Sequence, residues 1–154
     1  MGAFAAQGER PDRQDVQLGL RARKWRGDGM ELRAAIIVND ASQVRPIVES
    51  LSRKGFARIV ESDPQSVLES CGVNPPDLVI VEDRLRGMTG IRFLAELLKV
   101  SWTTSTILIA DEEEEALHHK TEGLGIIGAI RTVNDMETLD RLLDRFLEIV
   151  SPNQ

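Results

Sequence analysis

The stretch Pro76-Asp77-Leu78-Val79-Ile80-Val81-Glu82 carries the fold. Pro75-Pro76 makes a rigid turn, and the four aliphatic residues from Leu78 to Val81 show no polar–apolar alternation. Such an uninterrupted run predicts an interior strand of a parallel sheet, covered on both faces. Glu82, Asp83 and Arg84 stand at its carboxyl end. Ala34-Ala35-Ile36-Ile37-Val38 has the same character, and residues 57–60, 106–110 and 128–131 read as shorter strands.

Helical periodicity fills the intervals. Ser42 can cap a helix in which Val44, Ile47, Val48 and Leu51 recur at three- and four-residue spacings, with Pro46 in its first turn and Gly55 as its stop. Ser62-Asp63-Pro64 opens a second helix, which runs to Cys71 and stops at Gly72. Gly87 and Gly90 mark a loop before a helix carrying Ile91, Leu94, Leu97 and Leu98. The acidic run 111–115 suits a helix amino end. Asn134 or Asp135 can cap a last helix striped by Leu139, Leu142, Leu143, Phe146 and Leu147. Five strand–helix units with short connections form an open α/β sheet, whose functional crevice lies beyond the strands' carboxyl ends. Asn39, Asp40 and Glu82 fall there. No Gly-rich phosphate loop follows the first strand, which argues against a dinucleotide or nucleoside triphosphate site.

Composition sets the class. The 154 residues suffice for one domain, with 42% apolar and 29% charged residues. With four Phe, two Trp and no Tyr, the core must be aliphatic. The single cysteine, Cys71, excludes an intramolecular disulfide and fits a reducing compartment. No apolar run approaches the roughly 18 residues of a membrane span, and the opening lacks the pattern of a signal peptide, so a cytoplasmic location without membrane contact is expected.

Charge divides the chain. Seven basic and five acidic residues lie through Arg33, against twelve and twenty beyond it. So acidic a body disfavours direct nucleic-acid binding. Residues 1–32 read as a mostly disordered extension, 33–150 as the folded domain and 151–154 as a tail. Within the extension, Arg21, Arg23, Lys24 and Arg26 form a basic cluster, Val16, Leu18, Leu20 and Trp25 could dock, and Met30 could be an alternative start.

Together these features resemble the receiver domain of bacterial two-component response regulators over about residues 33–150. The residues that carry the likeness are Pro76 through Glu82 with Met88-Thr89-Gly90, and Asn39-Asp40 with Ser42 and Arg45. The resemblance implies a flavodoxin-like (αβ)5 fold, a doubly wound parallel sheet of five strands in the order 2-1-3-4-5. In that family a histidine kinase phosphorylates an aspartate at the end of the third strand, and paired acids hold a divalent metal.

Five positions depart from that pattern. Glu82 stands where the phosphoacceptor aspartate would be, and its extra methylene moves the carboxylate by ~1.5 Å, a displacement to which in-line transfer is sensitive. Asn39 replaces the first metal-binding acid, leaving Asp40 and Glu82 as weak metal candidates. Ala110 replaces the hydroxyl residue closing the fourth strand, Thr132 the family's lysine, and Ala129 the aromatic switch residue. Arg84, whose carbonyl matches a metal ligand, could pair its side chain with Glu82 or Asp40. The expectation is a degenerate, non-catalytic receiver that needs no cofactor, with Glu82 as a fixed negative charge. The alternative is an atypical Mg²⁺-dependent phosphoacceptor using Asp83 or Glu82, with Asp83 turned into the pocket by a bulge. A third reading is a flavodoxin-like module that binds a small ligand.

The resemblance further implies output or dimer contacts over residues 112–124, 128–131 and 136–148. Glu113, Glu114, His118, Lys120, Ala129, Arg131, Asp140, Arg141 and Asp144 are the candidate interface there. The expected partner is another signalling protein or a second copy of the chain. His118 and His119 point about 100° apart on a helix and so do not converge on one ion; one is expected to be exposed and the other partly packed.

Overall fold

Five parallel strands form one sheet in the order β2-β1-β3-β4-β5. They are β1 (Leu32–Ile37), β2 (Phe56–Glu61), β3 (Leu78–Glu82), β4 (Ser105–Ile109) and β5 (Gly128–Ile130). The helices between and after them are α1 (Arg45–Arg53), α2 (Pro64–Ser70), α3 (Gly90–Val100), α4 (Glu114–Thr121) and α5 (Met136–Val150). This computed structural model describes residues 31–150, within which Leu32–Leu147 is one compact unit. The expectations for the amino-terminal extension, Met30 and the 151–154 tail lie outside the described residues.

β3 is central because nothing polar interrupts it. Leu78, Val79, Ile80 and Val81 are fully buried, and the strand pairs in regular register with both neighbours. Its side chains alternate between two cores. Val79 and Val81 join Ala35, Ile37, Leu108 and Ala110 beneath α2 and α3, where Val67, Phe93, Leu94 and Leu97 are buried. Ile36, Ile80, Ile107 and Ile130 face the other way, and α1 and α5 pack together there. Phe56 stacks on Phe146 at 5.5 Å, and Lys54 reaches Asp144 at 2.7 Å.

Helix starts differ from the sequence expectation in physically readable ways. Asp40, not Ser42, accepts the capping bond, and it does so for a short 3-10 turn (Ala41–Gln43) ahead of α1. Only Glu114 and Glu115 of the acidic run lie in the first turn of α4, because Asp111 and Glu112 are drawn off to Arg131 and Lys120. Asp135 rather than Asn134 caps α5, accepting from the Thr138 N–H at 3.4 Å. β1 begins at Leu32 and ends at Ile37, since pairing with β2 already starts at Leu32↔Phe56. Cys71, just past α2, is buried, and burial pushes its thiol up to about 11.

Candidate functional site at the carboxyl end of the sheet

The end of β3 delivers two adjacent carboxylates to opposite sides of the sheet. Glu82 continues the Leu78–Ile80 side and meets the loop after β1, where the Asn39 N–H donates to its Oε1 at 3.0 Å. Asp83 continues the Val79–Val81 side toward α3 and α4. Strand alternation alone produces this split.

Beside Glu82, the Asn39 side chain makes two further bonds. Its Nδ2 donates to the Arg84 carbonyl at 2.6 Å, and its Oδ1 accepts from the Arg86 N–H at 3.1 Å. Asp40 is turned away, accepting from the Ser42 hydroxyl at 2.6 Å and from the Ser42 N–H at 3.0 Å. These bonds, the hydroxyl's first, and the charge of Arg86 hold the Asp40 carboxyl below its usual range. Arg84 was expected to pair with Glu82 or Asp40. Its side chain is exposed and forms no ion pair among the described residues; its carbonyl is the group in use, and Arg86 is the cation that faces Asp40.

The residues expected at a divalent cation do not fit one. A cation there needs oxygens with free lone pairs. The Arg84 carbonyl is engaged by the Asn39 amide, Asn39 itself brings no charge, and only Oδ2 of Asp40 and Oε2 of Glu82 are left without a hydrogen bond among the described residues. Among the described residues no cluster of three or more His, Cys, Asp or Glu suited to a metal is present.

Asp83 is only 7% exposed. Its Oδ1 accepts from the Ile91 N–H at 3.3 Å, and its Oδ2 accepts from Lys120 Nζ at 3.0 Å. Lys120 also donates to Glu112 at 2.7 Å. Hydrogen bonds to Glu112 and then Asp83 push the Lys120 ammonium above its usual value. The approach depends on Gly90, where a Cβ would lie 2.7 Å from the Glu82 carbonyl and 2.8 Å from Asp83 Cα. No bulge turns Asp83 toward Asn39; β3 keeps its register through Glu82↔Ile109.

Lys120, expected at the interface, is exposed, and its ammonium is engaged by Asp83 and Glu112. Nothing in the local sequence signals this, because the pair spans 37 residues and depends on how α4 docks. Ala110 is buried and brings no hydroxyl, while Thr132 is exposed and accepts from the Asn134 N–H. His118 and His119 are both exposed, so one matches the expectation and the partial packing expected of the other does not occur.

An open groove of about 860 Å³ runs between α4, β5 and α5. Glu114, His118, Ala129 and Arg131 of the expected interface line it. Asp140 and Asp144 do not; they pair with Arg53 and Lys54 of α1. Glu113 and Arg141 are exposed but outside the lining. Arg145 lines the groove and was missed, although its seven-residue spacing from Thr138 places both on one helix face.

No family model and no curated protein matches the chain. Solved structures do. A CheY-like receiver domain protein from Methanospirillum hungatei JF-1 matches with a TM-score of 0.65 at 15% identity, covering 80% of this chain and 99% of its own. The signal receiver domain of an HD domain-containing protein from Pseudomonas fluorescens Pf-5 gives a TM-score of 0.65 at 21% identity, with 80% and 99% coverage. The fold is that of the receiver domains. A third example with this fold, the chemotaxis response regulator CheY4 of Vibrio cholerae, matches at a TM-score of 0.60 and 15% identity, covering 73% and 99%. The receiver fold and its 2-1-3-4-5 strand order are thus as the sequence implied.

Proposed function

We propose that this chain is a non-catalytic signalling module that acts through protein–protein contacts, without phosphorylation. The observation that carries the reading is the placement of cations. Lys120, a basic side chain that reaches the end of β3, is committed to Asp83 and Glu112 on the far side from Glu82. Phosphoryl transfer needs positive charge at the acceptor oxygens. Glu82 instead receives a main-chain N–H, Ala110 supplies no hydroxyl, and Thr132 supplies no charge.

Output on this reading passes through the α4–β5–α5 groove. Its partner is a signalling protein or a second copy of the chain, and the protein works in the cytoplasm. Mixed charge along the rim, with Glu114 and Glu122 against Arg131 and Arg145, suits selective pairing. Among the described residues no helix is long and apolar enough to cross a membrane.

One competing reading has an observation behind it. Asp83 with Lys120 at 3.0 Å has the elements of an acceptor beside a cation. Against it, both Asp83 oxygens are engaged and the residue is buried. Incubation with acetyl phosphate and Mg²⁺, followed by intact mass, decides. An unmodified mass is expected; a stoichiometric phosphoryl adduct mapped to Asp83 or Glu82 would overturn the reading.

A further inference from the structure

A carbonyl oxygen at the rim of a sheet needs a hydrogen-bond donor or a cation. In this chain the Arg84 carbonyl has one. The Asn39 carboxamide donates to it at 2.6 Å, accepts from the Arg86 N–H at 3.1 Å, and is itself anchored by the Asn39 N–H on Glu82 at 3.0 Å. One residue thus ties the loop after β1 to the last residue of β3 and to two positions just beyond it, up to 47 residues away in sequence.

The chemistry singles out asparagine. The carboxamide is neutral and carries a donor and an acceptor on the same carbon, matching a carbonyl and an N–H side by side. An aspartate would set two acceptor oxygens against the Arg84 carbonyl, an arrangement that a bound cation relieves best and a bridging water less well. An alanine would leave both main-chain groups to water. We infer that Asn39 is a positioning residue whose carboxamide does the structural work of a divalent cation, holding the β3–α3 loop in one conformation without metal. The inference deepens the phosphorylation-independent reading above, on which it rests for its meaning but not for its test.

The experiment compares the full chain with its Asn39→Ala and Asn39→Asp variants, using Mn²⁺ as the probe. Mn²⁺ binding is read by electron paramagnetic resonance, loop order by amide exchange at Arg86, and thermal unfolding in chelator and in Mg²⁺. The parent chain is expected to bind no Mn²⁺ and to unfold at the same temperature with or without Mg²⁺. Asn39→Ala should speed exchange at Arg86 about tenfold, as loss of one hydrogen bond implies, with no gain of metal. Asn39→Asp should unfold at a lower temperature in chelator and recover in Mg²⁺, with Mn²⁺ bound. Unchanged exchange in Asn39→Ala, Mn²⁺ bound by the parent chain, or an Asn39→Asp variant indifferent to chelator would each overturn the inference. A phosphoryl adduct in the mass experiment would defeat the signalling reading alone, because Arg86 exchange reports the cross-link whatever the chain does with phosphate.

Discussion

Glu82 and Asp83 are chemically near-equivalent neighbours in two different environments. Glu82 is half-exposed and fixed by a main-chain N–H from the next loop. Asp83 is buried and fixed by an ammonium carried on α4, together with the amino end of α3. The contrast teaches that position along a strand, not residue type, decides what a carboxylate at a sheet rim can do. Alternation hands one to the loop side and the other to the helix side, and each side supplies a different donor. It also shows two ways to anchor the end of the sheet. Asn39 uses neutral hydrogen bonds to main chain, and Lys120 uses charge.

The largest effect should come from a change that strikes both halves. Gly90→Ala puts a methyl group within 2.8 Å of main-chain atoms of Glu82 and Asp83, so α3 must withdraw. The expected cost is about 2–3 kcal/mol, a fall in unfolding temperature of roughly 5–10 °C. Unchanged stability would mean that α3 does not set the geometry of either carboxylate.

Lys120→Met isolates the helix side. It leaves a buried carboxylate without its cation, but the Lys120 side chain is 37% exposed and solvent shares the load. About 1–2 kcal/mol is expected, and a double-mutant cycle with Asp83→Asn should show clear coupling. Additivity in that cycle would break the claim that the two residues form a unit. The same tie has a pH signature. The Lys120 value is raised above 10.5 in the folded chain, so its contribution is complete below 10.5 and fades as pH climbs through the folded value. The stability gap between the parent chain and Lys120→Met should therefore shrink in strongly alkaline urea titrations.

Glu82→Gln tests the loop side and should matter least. Its remaining oxygen still accepts the Asn39 N–H, and the expected change in urea stability is within about 0.5 kcal/mol. A loss as large as that of Lys120→Met would erase the distinction between the two carboxylates. Asp40 adds a small acid-side effect. Its folded value lies below 3.8, so it stabilises above that pH and the benefit is lost as pH falls through the folded value. Ser42→Ala removes the hydroxyl's bond to Asp40 and should flatten that acid limb, while the Ser42 N–H bond remains.

Much of the fold could be read from composition and spacing. The aliphatic run of β3 and the stripe of α5 each have one stable solution, burial, and Leu139, Leu143 and Phe146 are all fully buried. α4 was harder. Of its residues only Thr121 is buried, its amino end has no side-chain cap, and it spans residues 114–121 rather than the 112–124 expected. With so little apolar face, its docking leans on the ion pairs of Lys120 with Asp83 and Glu112, the first of which links residues 37 apart. Of the rim residues, Asn39 was visible as a departure from the resembled family. Its three bonds were not, since they link it to residues more than 40 positions away.

The residues alone settled that β3 is interior, that its end carries two carboxylates, and that Ala110 brings no hydroxyl and Thr132 no charge. Those are matters of side-chain type and period, which are local. Which donor meets which carboxylate was decided only when the loops and α4 closed over the sheet. A hydrogen bond or ion pair acts over about 3 Å, and only the assembled tertiary structure brings such distant positions that close.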